Sequence, residues 1–286
     1  MNKILRLGKL TGLFEDHVLL CYSPMCLRST VLFANGVNKL SALRLVSSGI
    51  DSVCRRERIL FSSFLFVPEN DKQLTSGLES LGYTKYSYDS TLYLDVVWAS
   101  FDEYIKSLDY SVRKNVRREI KKFAESGAKI ALVNDFGELS STLTKLRGNL
   151  LRKYGVENSP CAAISYKELN TFARDITKMF VIVKNNAVIG FCCCFKYGST
   201  MELSHCGFDY DALEKTDFAY FNVVYYAPIR WAIENGVQRI FAARALPEVK
   251  RKRGFRFERV NSFVKCYCRA ISSLMAAINK FQAYPE

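Results

Sequence analysis

Residues 179–208 constrain the fold most strongly, because they hold three apolar segments separated by two turn signals. The segments are rich in Val, Ile, Phe and Cys, which is typical of strands buried in a sheet. Asn185-Asn186 and Gly198-Ser199 are residue pairs that favour the tight turns of hairpins. The sequence therefore predicts an antiparallel meander of three strands.

A helical pattern precedes the meander. Apolar residues recur every three or four positions over residues 101–123, as on the buried face of an amphipathic helix. Ser100 and Glu103 have the spacing of a capping box, and Gly127 is placed to end the helix. Since Asp109 can cap a second helix, we predict two helices with a joint near residue 110.

The same signals predict the remaining elements. Helices are expected over 71–81, over 138–154, from Tyr166, over 217–235 and at the C-terminus, and strands over 17–23, 29–34, 59–67, 86–96, 237–243 and 259–269. This order of helices and strands is a mixed α/β pattern, and the chain shows no internal repeat that would indicate a solenoid or propeller.

Length and charge limit the classes of protein that the chain can belong to. With 286 residues, 49% of them hydrophobic, it can bury one large core or two smaller ones. The net charge of +13 makes an anionic partner plausible. The apolar stretch after the basic N-terminus is interrupted by Glu15 and Asp16, and no run approaches the roughly 18 apolar residues of a membrane span. We expect a soluble, cytoplasmic protein without a transmembrane segment.

The ten cysteines indicate buried thiols rather than a disulfide framework or a zinc site. They include Cys26 and Cys161, form no CxxC pair and have no histidine at a zinc-ligand spacing. Cys192, Cys193 and Cys194 lie between Phe191 and Phe195. A thiol nucleophile in this run is the alternative to a buried strand.

Two stretches resemble a known family. A helix with the paired aromatics Tyr225 and Tyr226 leads to Glu248-x-Lys250-x-x-Arg253-Gly254-Phe255, and residues 107–123 form a basic helix in which Arg113 opens a run of cations. Both are similar to the Fem-like aminoacyltransferases, a branch of the GNAT superfamily of N-acyltransferases. The similarity covers roughly residues 60–270, but here Ala243, Arg244 and Pro247 stand where the family usually has a glycine before its glutamate.

The resemblance implies a GNAT fold of the α/β (α+β) class, with a mixed, mostly antiparallel central sheet flanked by helices. It also implies a partial second GNAT-like half at the N-terminus. We therefore expect a partial half over residues 1–98 and an acyltransferase domain over residues 99–286.

The resemblance also implies an activity: transfer of an activated aminoacyl group, from aminoacyl-tRNA, to an amine of a small molecule or peptide. Acetyl-CoA-dependent GNAT enzymes carry an (R/Q)xxGx(G/A) turn that holds pyrophosphate at a helix N-terminus. No such turn occurs between Cys206 and Asp217. This absence favours a tRNA donor, and we expect no metal and no resident cofactor.

The family pattern places the reaction around Lys250, whose charge would stabilise the tetrahedral oxyanion of acyl transfer. Glu248 would orient Lys250 or accept a proton, although it can equally be an ion-pair partner. His205, at the end of the meander, is a second candidate base because histidine titrates near neutral pH. One of Tyr225 and Tyr226 would pack in the core while the other turns its hydroxyl into a cleft.

The cations of the basic helix are candidate ligands for the donor's phosphates. They are Arg113, Arg117, Arg118, Lys121 and Lys122, with Arg253 from the motif. A solvated helix face is the alternative interpretation.

Two rival functions stay open from the sequence. The first is an enzyme of the same fold that uses an acyl-CoA or an acyl carrier protein thioester. The second is a non-catalytic nucleic-acid-binding protein, although the sequence has no zinc-finger, helix-turn-helix or RNP-like signature.

Overall fold

A computed structural model describes residues 18–23, 28–156, 164–243, 245–268 and 271. The chain divides into two compact units, one formed by Met1–Ser90 with Glu258–Glu286 and the other by Thr91–Phe257. The sequence-based division at residue 98 assigns the last strand to the second domain. In the structure, most of that strand belongs to the first unit, and the assignment of domains stays a prediction.

The first unit contains strand β1 (Val18–Cys21), helix α1 (Lys39–Arg56), strand β2 (Phe61–Pro68) and helix α2 (Lys72–Ser80). Strand β1 pairs with β2 in parallel. Strand β9 (Arg256–Cys266) pairs with β2 in the antiparallel sense over residues 260–266. Asn38 and Asp71 cap the two helices through their side chains, as the capping preferences of these residues predict.

The strand predicted over residues 29–34 is wrong. Ser29 makes one backbone bond to Phe66, and its hydroxyl accepts the amide of Ser23, but residues 28–34 form no ladder. Gly36 then turns the chain with φ of 78° before Asn38 begins helix α1. Val31 packs against the core of the first unit, whereas Leu32 is exposed, so this short apolar run is neither paired nor buried as a strand.

The second unit begins within strand β3 (Thr84–Asp95) and continues with helices α3 (Phe101–Ser107) and α4 (Tyr110–Glu125). Strand β4 (Lys129–Val133) and helices α5 (Ser140–Lys153) and α6 (Tyr166–Phe172) follow. The two-helix prediction is confirmed: Ser100 caps α3 through the amide of Glu103, and Asp109 stands at the start of α4. Glu103 accepts the amide of Ala99 rather than that of Ser100, so the capping box is incomplete.

The predicted meander is confirmed as strands β5 (Thr177–Lys184), β6 (Ala187–Tyr197) and β7 (Thr200–Phe208). Helix α7 follows in three pieces, Ala219–Phe221, a π-helical turn Asn222–Tyr226 and Ala227–Glu234. Strand β8 (Arg239–Ala242) and helix α8 (Pro247–Lys252) complete the unit. The strands of this unit lie in the order β3-β8-β7-β6-β5-β4. Among the pairings described within this unit, only that of β7 with β8 is parallel.

The cysteine run lies in the centre of this sheet and faces both of its sides. Cys192 and Cys194 belong to a large core that also contains Phe180, and Cys193 belongs to a smaller core beneath helices α5 and α6, with Tyr166. Burial raises the pKa of the Cys193 and Cys194 thiols well above their usual value, so no thiolate forms there. The thiols fill space, as one interpretation of the sequence expects.

Some predictions fall outside the described residues: the terminal helix beyond residue 271 and the thiols Cys26 and Cys161. Within the described part of the chain, no helix is long and apolar enough to cross a bilayer.

Candidate active site

Strands β7 and β8 pair in parallel from Thr200 with Arg239 to Leu203 with Ala242, and the ladder then stops. Strand β7 continues to Phe208, whereas the chain after Ala242 turns away toward helix α8. A register shift between β6 and β7 leaves Ser204 as an extra residue at this same point. The two strands therefore open a gap that side chains from the surrounding helices can reach.

A cavity of about 360 Å³ lies in this gap. Strand β7 contributes Leu203 to Cys206, helix α5 contributes residues around Arg147, and helix α7 contributes aromatic side chains. The segment after β8 closes the cavity with residues up to Lys250. Enclosed pockets with mainly apolar walls and a few polar groups are the usual form of small-molecule sites.

Lys250 brings a cation into this cavity. It lies on helix α8, is 5% exposed, and donates hydrogen bonds to the carbonyl oxygens of Ala243 (2.6 Å) and Ala245. Burial lowers the pKa of Lys250 to about 8, against a smaller opposing effect of Cys206. An ammonium has three N–H donors, so one remains after the two carbonyls are served.

The backbone around Lys250 explains the motif that contains it. Leu246, just before the helix, adopts a left-handed conformation with φ of 55°, which a glycine would take without strain. Gly254 ends the helix with φ of 88°. Phe255 then donates its amide to the Lys250 carbonyl and packs its buried ring against Tyr225.

Tyr225 and Tyr226 both lie in the π-helical turn, and their side chains contact different groups. Tyr225 lines the cavity, and its hydroxyl lies 3.1 Å from that of Tyr220. Tyr226 instead donates its hydroxyl to the buried carboxylate of Glu119. π-Helical turns, which insert one extra residue into an α-helix, often occur at functional sites. One tyrosine thus faces the cavity and the other the core, as the sequence analysis anticipates for the pair.

Arg253, expected to bind donor phosphate, is buried in a different role. Its Nη2 lies 2.8 Å from Glu119, its Nε donates to Tyr226 (3.0 Å) and its Nη1 to the carbonyl of Val249 (3.0 Å). The guanidinium also stacks over the ring of Phe221 at 4.3 Å. With its donors engaged in this way, Arg253 fixes helix α8 to α4 and α7.

Neither candidate base is suited to accept a proton beside Lys250. Glu248 is exposed and forms an ion pair with Arg251 at 3.0 Å, so the ion-pair alternative describes it. His205 pairs with Cys193 in the ladder, and Cys193 belongs to the core on the opposite side of the sheet from that of Tyr225. Burial, with the charge of Arg147, lowers the pKa of His205 to about 3, so the ring is a poor proton acceptor at neutral pH.

Cys206 lines the cavity but is not an activated nucleophile. Burial and the neighbouring Cys192 raise its pKa to about 12, despite the opposing charges of Arg147 and Lys250. The thiol is therefore protonated at neutral pH.

The remaining predicted cations lie along helix α4. Arg117 and Arg118 are exposed, Arg113 donates to the carbonyl of Lys106 (2.9 Å), and Lys121 lies 3.8 Å from Glu125. Arg118 and Lys122 line a second, open cavity of about 570 Å³, which Glu125 and Asp217 share. This face is solvated, and its outermost cations are free to meet phosphates.

The segment between β7 and α7 carries its own anions. Asp209 accepts the amides of Asp211 and Ala212, and Glu214 and Asp217 form a reciprocal capping box at the start of the helical region. The capping box belongs to the 3-10 turn Lys215–Asp217, so these carboxylates make the segment before α7 unfavourable for a pyrophosphate.

Sequence reasoning missed Arg147, Tyr220 and Glu119. Arg147 and Tyr220 come to the cavity from helices distant in sequence, and no local pattern marks them. Glu119 did carry a signal, since it falls three residues after the buried Val116 on the apolar face of a helix otherwise rich in cations.

Three solved structures share this architecture at low sequence identity. The C-terminal domain of a protein assigned as a lysylphosphatidylglycerol synthetase from Agrobacterium fabrum matches with a TM-score of 0.60 and 11% identity, over 84% of this chain and 78% of that one. FemX matches with a TM-score of 0.59 and 11% identity, over 82% and 79%. L-PGS from Bacillus licheniformis matches with a TM-score of 0.57 and 10% identity, over 81% and 76%.

These likenesses are at the level of the fold, and the mixed, mostly antiparallel sheet flanked by helices confirms the GNAT fold class. No curated protein sequence gives a significant match to the chain. The sequence profile of the FemAB-like family, described as peptidoglycan biosynthesis and recognition, matches residues 19–283. Since this match spans nearly the whole chain, the protein belongs to the FemAB-like family.

Proposed function

We propose that the protein is an N-acyltransferase that moves an aminoacyl group from aminoacyl-tRNA to an amine of a small molecule or peptide. The observation that carries this proposal is the buried Lys250 ammonium at the wall of the cavity between the diverging strands. Membership of the FemAB-like family supports acyl transfer at the general level.

Amide formation needs a group that stabilises negative charge on the carbonyl oxygen. The amine attacks the ester carbonyl, a C–N bond forms, and the oxygen becomes an oxyanion until the C–O bond to the ribose breaks. Lys250 has one N–H left after bonding to Ala243 and Ala245, and these two bonds hold it in place before substrate arrives. Losing one such preorganised donor typically costs about 100- to 1000-fold in rate.

The reaction also needs a route for one proton. Glu248 is exposed and paired, and burial with the charge of Arg147 lowers the pKa of His205 to about 3, so neither is suited to take it. The proposal therefore has the amine enter in its neutral form. One of the two N–H protons of the amine stays on the amide nitrogen. The other passes to the departing ribose oxygen, which leaves as a hydroxyl.

Two observations favour tRNA as the donor. The segment before helix α7 carries Asp209, Glu214 and Asp217, whose carboxylates accept backbone amides there and would repel a CoA pyrophosphate. Helix α4 presents exposed cations such as Arg117 and Arg118, which suit the phosphate backbone of RNA.

A transfer assay with radiolabelled aminoacyl-tRNA tests the proposal. The wild-type protein should move label to an amine acceptor, and ribonuclease treatment beforehand should abolish the product. Lys250→Met should lower the rate about 100-fold or more. Lys252→Met is the matched control, because Lys252 is exposed on the same helix.

Other outcomes separate the rival functions. Transfer from an acyl-CoA or an acyl carrier protein, with no dependence on tRNA, would replace the donor in this proposal. RNA binding without transfer from any donor, unaffected by Lys250→Met, would favour a non-catalytic nucleic-acid-binding protein.

A further inference from the structure

Arg147 and His205 line the cavity, and each has a buried nitrogen without a hydrogen-bond partner, Nε and Nε2 respectively. The hydroxyl of Tyr166, whose ring packs against that of His205, is unpartnered as well. Buried polar groups are nearly always paired, because an unpaired one has lost its bonds to water without replacement. The His205 and Tyr166 rings lie 5.7 Å apart, and the Arg147 charge acts on both groups. Three such groups together indicate a place where something polar binds.

Arg147 is held in place for this purpose. Its Nη1 donates to the carbonyl of Cys206 at 3.2 Å, which ties the guanidinium to strand β7. Helix α5 lies so close to β7 that a Cβ at Gly207 would come within 2.5 Å of the Arg147 amide nitrogen. The backbone and one end of the guanidinium are therefore fixed, and Nε is left to donate to a ligand.

His205 can act as a second donor. Its Nδ1 lies 2.8 Å from the Ser204 hydroxyl. When that hydroxyl donates to Nδ1, the neutral ring carries its proton on Nε2, which is the unpartnered atom. Arg147 and His205 both line the cavity, and each offers an N–H group.

The charge of the cavity shows what these donors suit. Arg147 and Lys250 are cations, and none of the described residues that line the cavity is acidic. Its remaining walls include aliphatic side chains such as Leu150, Leu203 and Val224. A small anionic group on an otherwise apolar or neutral molecule fits this environment, because donors and charge then meet acceptors.

We infer that Arg147, His205 and Tyr166 form a subsite that binds a carboxylate of the substrate. The inference rests on the proposed function only in treating the cavity as a substrate site. The carboxylate has two potential sources, the amine acceptor or the side chain of the transferred aminoacyl group, and both present the same chemistry to Arg147.

Isothermal titration calorimetry with small probes tests this inference without any acyl transfer. Alanine against alaninamide represents an acceptor with and without its carboxylate. Propionate against propionamide represents an acidic side chain. In one of these two pairs, the carboxylate should bind the wild-type protein at least about tenfold more tightly than the amide. The pair that shows this preference identifies the source of the carboxylate.

The variants locate the subsite. Arg147→Met should remove the preference for carboxylate, whereas Arg152→Met, an exposed arginine on the same helix, should keep it. Tyr166→Phe should weaken carboxylate binding and leave the ligand-free protein as stable as wild type or more so, because the hydroxyl it removes has no partner.

Four results would overturn the inference: no preference for either carboxylate, tighter binding of inorganic phosphate than of both, an equal loss in Arg152→Met, or a ligand-free Tyr166→Phe protein that is clearly destabilised. The last would mean that an ordered water satisfies the three groups. A wild-type protein that binds carboxylate but transfers nothing from aminoacyl-tRNA would contradict the proposed function and leave the subsite standing.

Discussion

Removing Glu119 tests the view that Arg253 has a structural role rather than a phosphate-binding one. The Glu119 and Arg253 side chains are 8% and 7% exposed and meet at 2.8 Å. Glu119→Ala leaves the guanidinium buried among Phe221, Tyr225 and Tyr226 with no opposing charge. Arginine cannot give up its proton in a protein, so the charge must stay buried or the region must open.

The size of the effect follows from this burial. Breaking a buried ion pair by removing one partner typically costs about 3–5 kcal/mol, whereas replacing both partners with apolar residues is often neutral. We therefore expect Glu119→Ala to lower the free energy of unfolding by about 3–5 kcal/mol, and Glu119→Ala with Arg253→Met to lose less than the two single variants together.

Urea denaturation of the four proteins measures these differences as a double-mutant cycle. A Glu119→Ala protein that loses less than about 1 kcal/mol would refute the reasoning and return Arg253 to the list of candidate phosphate ligands.

Further predictions concern packing, pH and donor binding. Gly207→Ala should destabilise by about 1–3 kcal/mol or more, because its Cβ would meet helix α5 backbone atoms at 2.5 Å, whereas Gly148→Ala has open space and should stabilise by about 0.5–1 kcal/mol; urea denaturation checks both. Under the proposed function, transfer should rise with pH as the acceptor amine loses its proton and level off above about pH 8, because the pKa of Lys250 is about 8 and its charged form is the strong donor to an oxyanion. The contribution of Lys250 to stability should rise from about pH 8 toward its ordinary pKa of 10.5, because the unfolded chain there binds more protons; Lys250→Met should remove both the levelling-off and this gain in stability. Changing Arg117 and Arg118 together to alanine should flatten the slope of log affinity for tRNA against log salt by nearly two, as measured by filter binding, and an unchanged slope would count against helix α4 as the phosphate site.

The fold was largely accessible from the sequence where the signal is local. The meander follows from alternating apolar segments and two turn pairs, and the break near residue 110 follows from capping preferences. Helix α1 and strand β4 were not predicted, and residues 29–34 were wrongly predicted as a strand. Strand β4 alternates only weakly because it is half exposed, and its pairing with β5 decides its structure.

The site was accessible only in part, because a cavity is made by residues distant in sequence. The motif identified Lys250 and Tyr225, and both line the cavity. The same motif suggested Glu248 and Arg253, and nothing in the spacing distinguishes an exposed ion pair or a buried structural arginine from a reacting group. Arg147 comes from a helix with no motif, so only packing against Gly207 reveals its position.

The acidic turn after strand β7 has a consequence for selectivity in the cell. ATP, CoA and other polyphosphates are common competitors for helix starts, but here the carboxylates of Glu214 and Asp217 lie in the turn before helix α7 and would repel them. An inhibitor built on a polyphosphate handle should therefore bind poorly beside this turn. Under the proposed function, a mimic of the aminoacylated adenosine at the end of a tRNA should avoid that repulsion and bind in the cavity.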